Sequence, residues 1–173
     1  MISSDRIIAV LDPSAIYPGI VRDLFFWFAH YDLYTPKWGR HTFDEWKEAM
    51  QKKGVPPEES ERRVRKADQA FPDALVQHYE GLMKHLSLPD EKDRHVLAVA
   101  IKINAHIIVS NNITHFPKQI LDMFGIKVKT ADDFLADIIE SESETAIRAF
   151  TDMVSIKINS RPDKSGKVIF CPQ

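Results

Sequence analysis

Apolar residues in this chain form two kinds of run, short β-branched blocks and longer stretches with helical spacing, and the two kinds alternate. Residues 7–11 (IIAVL) are the first block, closed by Asp12 and Pro13. A run so short and so fully apolar predicts a strand buried on both faces of a parallel sheet. Pro18-Gly19 breaks the chain. Residues 20–31 (IVRDLFFWFAHY) are then apolar nearly all round, which predicts a helix packed tightly on the sheet, with the run Phe25 to Phe28 in the core. Over 41–53, Phe43, Trp46 and Met50 share one helical face, and Glu45, Glu48 and Lys52 lie off it. Gly54 and Pro56-Pro57 stop that helix. Residues 57–70 read as another helix, opened by a proline and closed by Phe71-Pro72. Residues 74–86 are ambiguous, with a short strand at 74–76 as one reading. Pro89-Asp90 opens the most strongly patterned helix, reaching about Asn104. Residues 106–110 (HIIVS) are the second β-branched block and the second strand. A short helix over 116–124, a strand over 125–129, and helices over 131–139 and 143–155 complete the pattern. The segment from Asn159, with its Ser, Arg, Pro, Asp, Lys and Gly, reads as a loose tail.

Strands that alternate with helices predict the α/β class, a central parallel sheet flanked by helices on both faces. A length of 173 residues suits one domain with a sizeable core. The formal net charge of −2 gives the whole chain no long-range pull on nucleic acid, so polyanion binding would need a local patch. One cysteine, Cys171, cannot form an internal disulfide, which fits a reducing, cytoplasmic setting. The first residues carry no long apolar core and no small-residue cleavage site, which predicts no signal peptide. The apolar stretches are too short and interrupted to span a bilayer, which predicts no membrane partner.

In open parallel sheets, ligands bind beyond the carboxyl ends of the strands. Asp12 directly follows the first strand, and Asn111, Asn112 and His115 follow the second; Asp90 and Asp93 sit in the first turn of the helix that precedes it. If the two strands are neighbours, these groups converge. Gathered carboxylates raise one another's pKa, and a divalent cation with oxygen ligands gives them a reason to gather. Each residue has a plainer reading. Asp12 before Pro13 fits a helix cap, and Asp90 fits an N-cap. Asp93 shares a helix face with Val96 and Leu97, which points it inward. Glu45 reads by itself as a solvated helix residue, and His115 as a surface histidine. Arg62, Arg63, Arg65 and Lys66 could meet RNA phosphates, or belong to a solvated helix in which Glu58 and Glu59 support Arg62 and Arg63 at i,i+4. Glycine-rich phosphate loops, an H-E-x-x-H pair and zinc-binding cysteines are missing from the sequence. A haloacid-type phosphatase would want an acid where Ser14 stands.

Five pieces, in this order and spacing, carry a resemblance. They are VLDPSAIYP at 10–18, Trp38 with Glu45 seven residues on, AFPDALV at 70–76, LPDEKDRHVLAVAI at 88–101, and IVSNNITHFP at 108–117. Together they resemble the PIN-domain family, in particular its bacterial branch of toxins from toxin–antitoxin pairs, over about residues 7–135. The resemblance implies a Rossmann-like three-layer fold over residues 1–140, followed by a C-terminal helix and tail over 141–173. It implies a Mg²⁺- or Mn²⁺-dependent endoribonuclease in which metal-generated hydroxide attacks the phosphodiester in line. By position, Asp12, Glu45 and Asp93 match the first three of the family's four acids. Asp12, Asp93 and Asp90 would hold the metal, with Ser110, Asn112 and His115 in support and Arg62 and Arg63 toward RNA. A small antitoxin, a homodimer and an RNA substrate are the implied partners.

The chain departs from the family at two places. His115 stands where the fourth acid is usual, which removes one negative charge; imidazole suits Mn²⁺ better than Mg²⁺. Pro13-Ser14-Ala15 stands where Ala-Asn-Val or similar is usual, so an Asn side chain is lost beside Asp12. These departures motivate an alternative: a weak or silent module that binds RNA or a partner protein.

Overall fold

The computed structural model describes residues 6–159. Five parallel strands form its sheet: β1 (Ile8–Leu11), β2 (Thr35–Gly39), β3 (Leu75–Val76), β4 (Ile107–Val109) and β5 (Lys127–Lys129), in the order β3-β2-β1-β4-β5. The order runs outward from β1 in one direction and then jumps back to its other side. That places the topological switch point between β1 and β4, where an open α/β sheet offers its crevice. In register, Ala9, Val10 and Leu11 face Ile107, Ile108 and Val109.

Alternation along the strands feeds two cores. Ala9 and Leu11 of β1, with Ile107 and Val109 of β4, join one core. Helices α2 (Gly19–His30), α3 (Arg40–Lys52), α4 (Pro57–Ala70), α8 (Ala131–Ser141) and α9 (Ser143–Asn159) contribute Phe25, Phe43, Val64, Phe134 and Ala149 to it. Val10 and Ile108 point the other way, onto α6 (Arg94–Lys102), whose Val96 to Ala100 are buried. Each large apolar side chain taken from water contributes about 1.5–3 kcal/mol, so the two-sided burial fixes strand register strongly. The aromatic run of α2 is core, as its pattern predicts: Phe25 to Phe28 are buried, and of the helix's large apolar residues only Ile20 is exposed. Lys157 of α9 pairs with the buried Asp23 of α2 at 2.6 Å and locks those helices together.

Several expectations shift. The pattern gave no strand at β2, because Thr-Pro-Lys-Trp-Gly has one large apolar residue and a proline. Pro36 is tolerated because β3 pairs only with Trp38 and Gly39, leaving β2 effectively an edge at Pro36. Strand β3 is real but two residues long, at 75–76 rather than 74–76. The helix expected from 90 to 104 splits. Asp90 accepts from the Lys92 amide at 3.0 Å and caps a single 3-10 turn, Glu91–Asp93, before α6 starts at Arg94. It ends early at Lys102, where Asn104 takes a left-handed φ of 51° that Asn tolerates. The helix expected at 116–124 shortens to α7 (Lys118–Asp122), since Phe116 and Pro117 are extended. Two one-turn helices, α1 (Pro13–Ile16) and α5 (Glu80–Met83), were too short to show a period. The last helix runs to Asn159 rather than ending at 155, so the expected tail does not begin at Asn159, and the rest of it, from residue 160, lies outside the described residues. Among those residues no helix is long and apolar enough to cross a membrane.

Candidate metal centre

The centre sits over the carboxyl ends of β1 and β4. Asp12 leaves β1 with its amide bonded to the Val109 carbonyl at 3.0 Å, so the first residue beyond β1 is tied to the last of β4. Its side chain is 2 % exposed. Oδ2 accepts the Ser14 amide at 3.1 Å, the Ser110 hydroxyl at 3.0 Å, and the Ser14 hydroxyl. The cap reading of Asp12 is therefore true, and it uses one oxygen only. Burial raises the Asp12 carboxyl first; the Ser14 hydroxyl lowers it, and the nearby Asp93 charge raises it again.

Asp93 comes in from the other side, at the end of the 3-10 turn. It is 9 % exposed and points inward, as its place beside Val96 and Leu97 predicts. Its Oδ2 lies 2.7 Å from His115 Nδ1. Burial again raises this carboxyl first, His115 lowers it, and the Asp90 and Glu45 charges raise it. Asp90 Oδ2 is 3.9 Å from the same His115 nitrogen. Asp90, Asp93 and His115 thus offer three ligand atoms within 4.8 Å of one another. Asp12 is outside that tightest group but close enough for its charge and that of Asp93 to interact. Glu45, on α3, is bonded through Oε1 to His95 Nε2 at 2.8 Å. Beside it, the Tyr17 hydroxyl is pushed up to about 12 by burial first, then by the Glu45 and Asp12 charges.

One feature recurs across the four acids. Asp12 is held through Oδ2, Asp93 through Oδ2, Glu45 through Oε1 and Asp90 through Oδ1. Among the described residues the second oxygens of Asp12, Asp90 and Asp93 carry no hydrogen bond, whereas Glu45 also takes one from the Tyr17 hydroxyl. Hard cations such as Mg²⁺ take carboxylate oxygens and water, so three oriented aspartates with one free oxygen each fit a divalent ion. The imidazole of His115 suits the same group, as a donor or as the partner that orients Asp93.

The serines matter more than the sequence suggested. Ser110 is fully buried, donates to Asp12 and accepts the Asn112 amide at 3.0 Å. Ser14, at a position where an asparagine side chain is lost, itself bonds Asp12 and accepts the Asn111 amide at 3.0 Å. Asn111 bridges onward, from the Ser14 carbonyl to the Ala131 amide. Tyr17 and His95 were not singled out in the sequence, whereas Asn111 was expected to converge here with Asn112 and His115. Tyr17 and His95 both lie inside the pieces that carry the family resemblance, which was the available signal. Arg62 and Arg63 do not enter the acidic group. Both bond Glu59 at 2.7 Å, Arg62 at i,i+3 and Arg63 at i,i+4.

A family model described as a PIN domain matches residues 28–114. That stretch contains Glu45, Asp90 and Asp93, starts after Asp12 and stops one residue short of His115. A Mycobacterium tuberculosis (strain ATCC 25618 / H37Rv) protein named "Putative ribonuclease VapC50" is 40% identical over 68 residues, covering 39% of this chain. The match spans only 40% of that relative's own length. No solved structure gives a significant match.

Proposed function

Because the chain belongs to the PIN domain family, we propose that it is a divalent-metal-dependent endoribonuclease and the toxin of a toxin–antitoxin pair. The observation that carries this is the set of carboxylates gathered at the β1/β4 switch point: Asp12, Asp90 and Asp93, each held by one oxygen and open at the other, with Glu45 close enough for its charge to act on Asp93. Residues 1–140 form the nuclease domain in this reading, and α9 braces it.

Asp12, Asp90, Asp93 and Glu45 would hold Mg²⁺ or Mn²⁺, with His115 as a nitrogen donor that favours Mn²⁺. Such an ion polarises the phosphoryl oxygens and makes water more acidic. The chain's own part is to fix the geometry beforehand. Ser14 and Ser110 orient Asp12, and His115 and His95 orient Asp93 and Glu45. Ser110 also anchors the Asn112 backbone, which steadies the loop carrying His115. RNA is the substrate, approached past α4 where Arg62 and Arg63 lie. On the far side, α9 exposes Ile147, Phe150 and Ile158, a surface for an antitoxin or a second copy of the chain.

The test is RNA cleavage with Mg²⁺ or Mn²⁺ by wild type, Asp12→Asn and His115→Asp. The proposal expects wild type to cleave best with Mn²⁺, Asp12→Asn to fail, and His115→Asp to gain with Mg²⁺. If wild type is inactive with both ions while His115→Asp cleaves, the natural chain is instead the silent binding module. His115 in place of an acid is the observation that favours that second reading. Equal cleavage by wild type and Asp12→Asn would contradict the site itself.

A further inference from the structure

His95 is a deeply buried titratable side chain beside the acids, at 1 % exposed, and the proposed chemistry gives it no contact with metal or RNA. Its Nε2 lies 2.8 Å from Glu45 Oε1. An ionised carboxylate only accepts, so Nε2–H donates. Its Nδ1 is buried with no hydrogen-bond partner among the described residues. The ring is held by packing instead, stacked on His41 with centroids 5.3 Å apart and planes at 21°. His41 is fixed in turn. The Tyr79 hydroxyl accepts the His41 amide at 3.3 Å and stands 2.5 Å from its Nδ1. Tyr79 is fully buried against Gly39, where a Cβ would meet its hydroxyl oxygen at 2.5 Å. A rigid column therefore runs from Gly39 through Tyr79, His41 and His95 to Glu45.

Glu45 needs such a hold. It is a long, flexible side chain, 39 % exposed, on a helix separate from the other acids. Left free it would sample several rotamers, and fixing it at the moment of binding would cost up to about 2 kcal/mol of side-chain entropy. We propose that His95 is a positioning residue: its Nε2–H pre-sets the Glu45 carboxylate toward Asp93, so that a divalent cation meets an assembled site. This rests on the metal-centre reading above. A buried nitrogen left without a partner is otherwise unfavourable, and the bond made at the other end of the ring is what retains it.

The experiment is calorimetric Mn²⁺ titration of the full chain without RNA. Gln at position 95 brings an amide nitrogen to roughly the place of Nε2, whereas Asn falls short of Glu45. His95→Asn should weaken Mn²⁺ binding about tenfold or more, within the 10–100-fold typical of losing a partner behind a ligand, and His95→Gln should stay within about threefold of wild type. In a Glu45→Gln background the His95→Asn loss should shrink to less than about twofold, because the two residues act through one bond. If His95→Asn fails to fold, His95→Phe keeps the stack on His41 and supplies the same comparison. Wild-type affinity in the donor-free variant, a loss in His95→Gln equal to that in His95→Asn, or an undiminished loss beside Glu45→Gln would each overturn the positioning role. If wild type binds no Mn²⁺ at all, the metal reading falls and takes this with it. If wild type binds and His95→Asn binds equally, the positioning role falls alone.

Discussion

The two ends of the sheet carry similar residue types and treat charge in opposite ways. At the amino end, beside Pro36 where β3 has not yet begun, lies a cavity of about 220 Å³ lined by Arg6, Asp32, Lys37, Phe71 and Asp73 among others. Its lining sets two cations against two anions. Arg6 pairs with Asp32 at 2.8 Å, and the Lys37 ammonium donates to the Asp73 backbone carbonyl at 2.5 Å. At the carboxyl end the charge is less compensated: four carboxylates converge, and among the described residues the partners within ion-pair distance are the histidines His95 and His115. An opening shows where something could fit. Unbalanced, pre-oriented charge shows where the fold carries a cost that protonation or a bound cation would offset.

The sharpest way to break this contrast is a matched pair of substitutions, one at each end. Asp93→Asn should lower RNA cleavage by more than about a hundredfold, beyond the 10–100-fold effect of losing an indirect partner. Asp32→Asn should leave cleavage unchanged; Asp32 has a left-handed φ of 58°, which Asn also accepts. Comparable losses at both ends would mean that the fold, rather than the site, was being tested.

A smaller effect concerns stability. Burial and Asp93 hold the Asp12 carboxyl above its ordinary 3.8 in the folded chain. The folded state then binds that proton more tightly than the unfolded state, so the ionised group costs stability above its folded pKa. Metal-free Asp12→Asn should therefore melt higher than wild type near pH 7, and the gain should vanish as pH falls below about 3.8, where both states are protonated. In a chain of this length 1 kcal/mol moves Tm by about 2–4 °C, which calorimetry resolves. A variant that melts lower at neutral pH would show that the serine hydrogen bonds outweigh burial and repulsion. The smallest expected effect is at the amino end. Arg6→Ala removes an ion pair whose side chains are 54% and 69% exposed, and such pairs contribute about 0–1 kcal/mol, so its denaturation midpoint should barely move.

Much of the fold was legible because buried parallel strands declare themselves: Ile8–Leu11 and Ile107–Val109 are apolar on both faces and bounded by polar stops. Strand β2 was not legible, since Trp38 is its one large apolar anchor and Pro36 argues against a strand until the two-residue β3 is known. In the site, Asp12 and Asp93 could be read from their positions after a strand and at a helix start. Glu45 could not, because a glutamate on the polar flank of an amphipathic helix looks like any solvated one; only the resemblance picked it out. The hydrogen bonds of Ser14 and Ser110 to Asp12, and of His95 to Glu45, join residues between 2 and 98 positions apart. Local patterning carries no record of the long-range ones.

The central claim is that acids from β1 and from the turn before α6 form one metal centre. Mn²⁺ binding followed by electron paramagnetic resonance, on metal-free wild type, Asp12→Asn and Asp93→Asn, tests it directly. One shared centre predicts that each single substitution weakens Mn²⁺ by about tenfold or more, and that the double variant loses less than the sum of the two in free energy. Wild-type Mn²⁺ affinity in Asp12→Asn would contradict it, leaving Asp12 as a helix cap beside a site it does not serve.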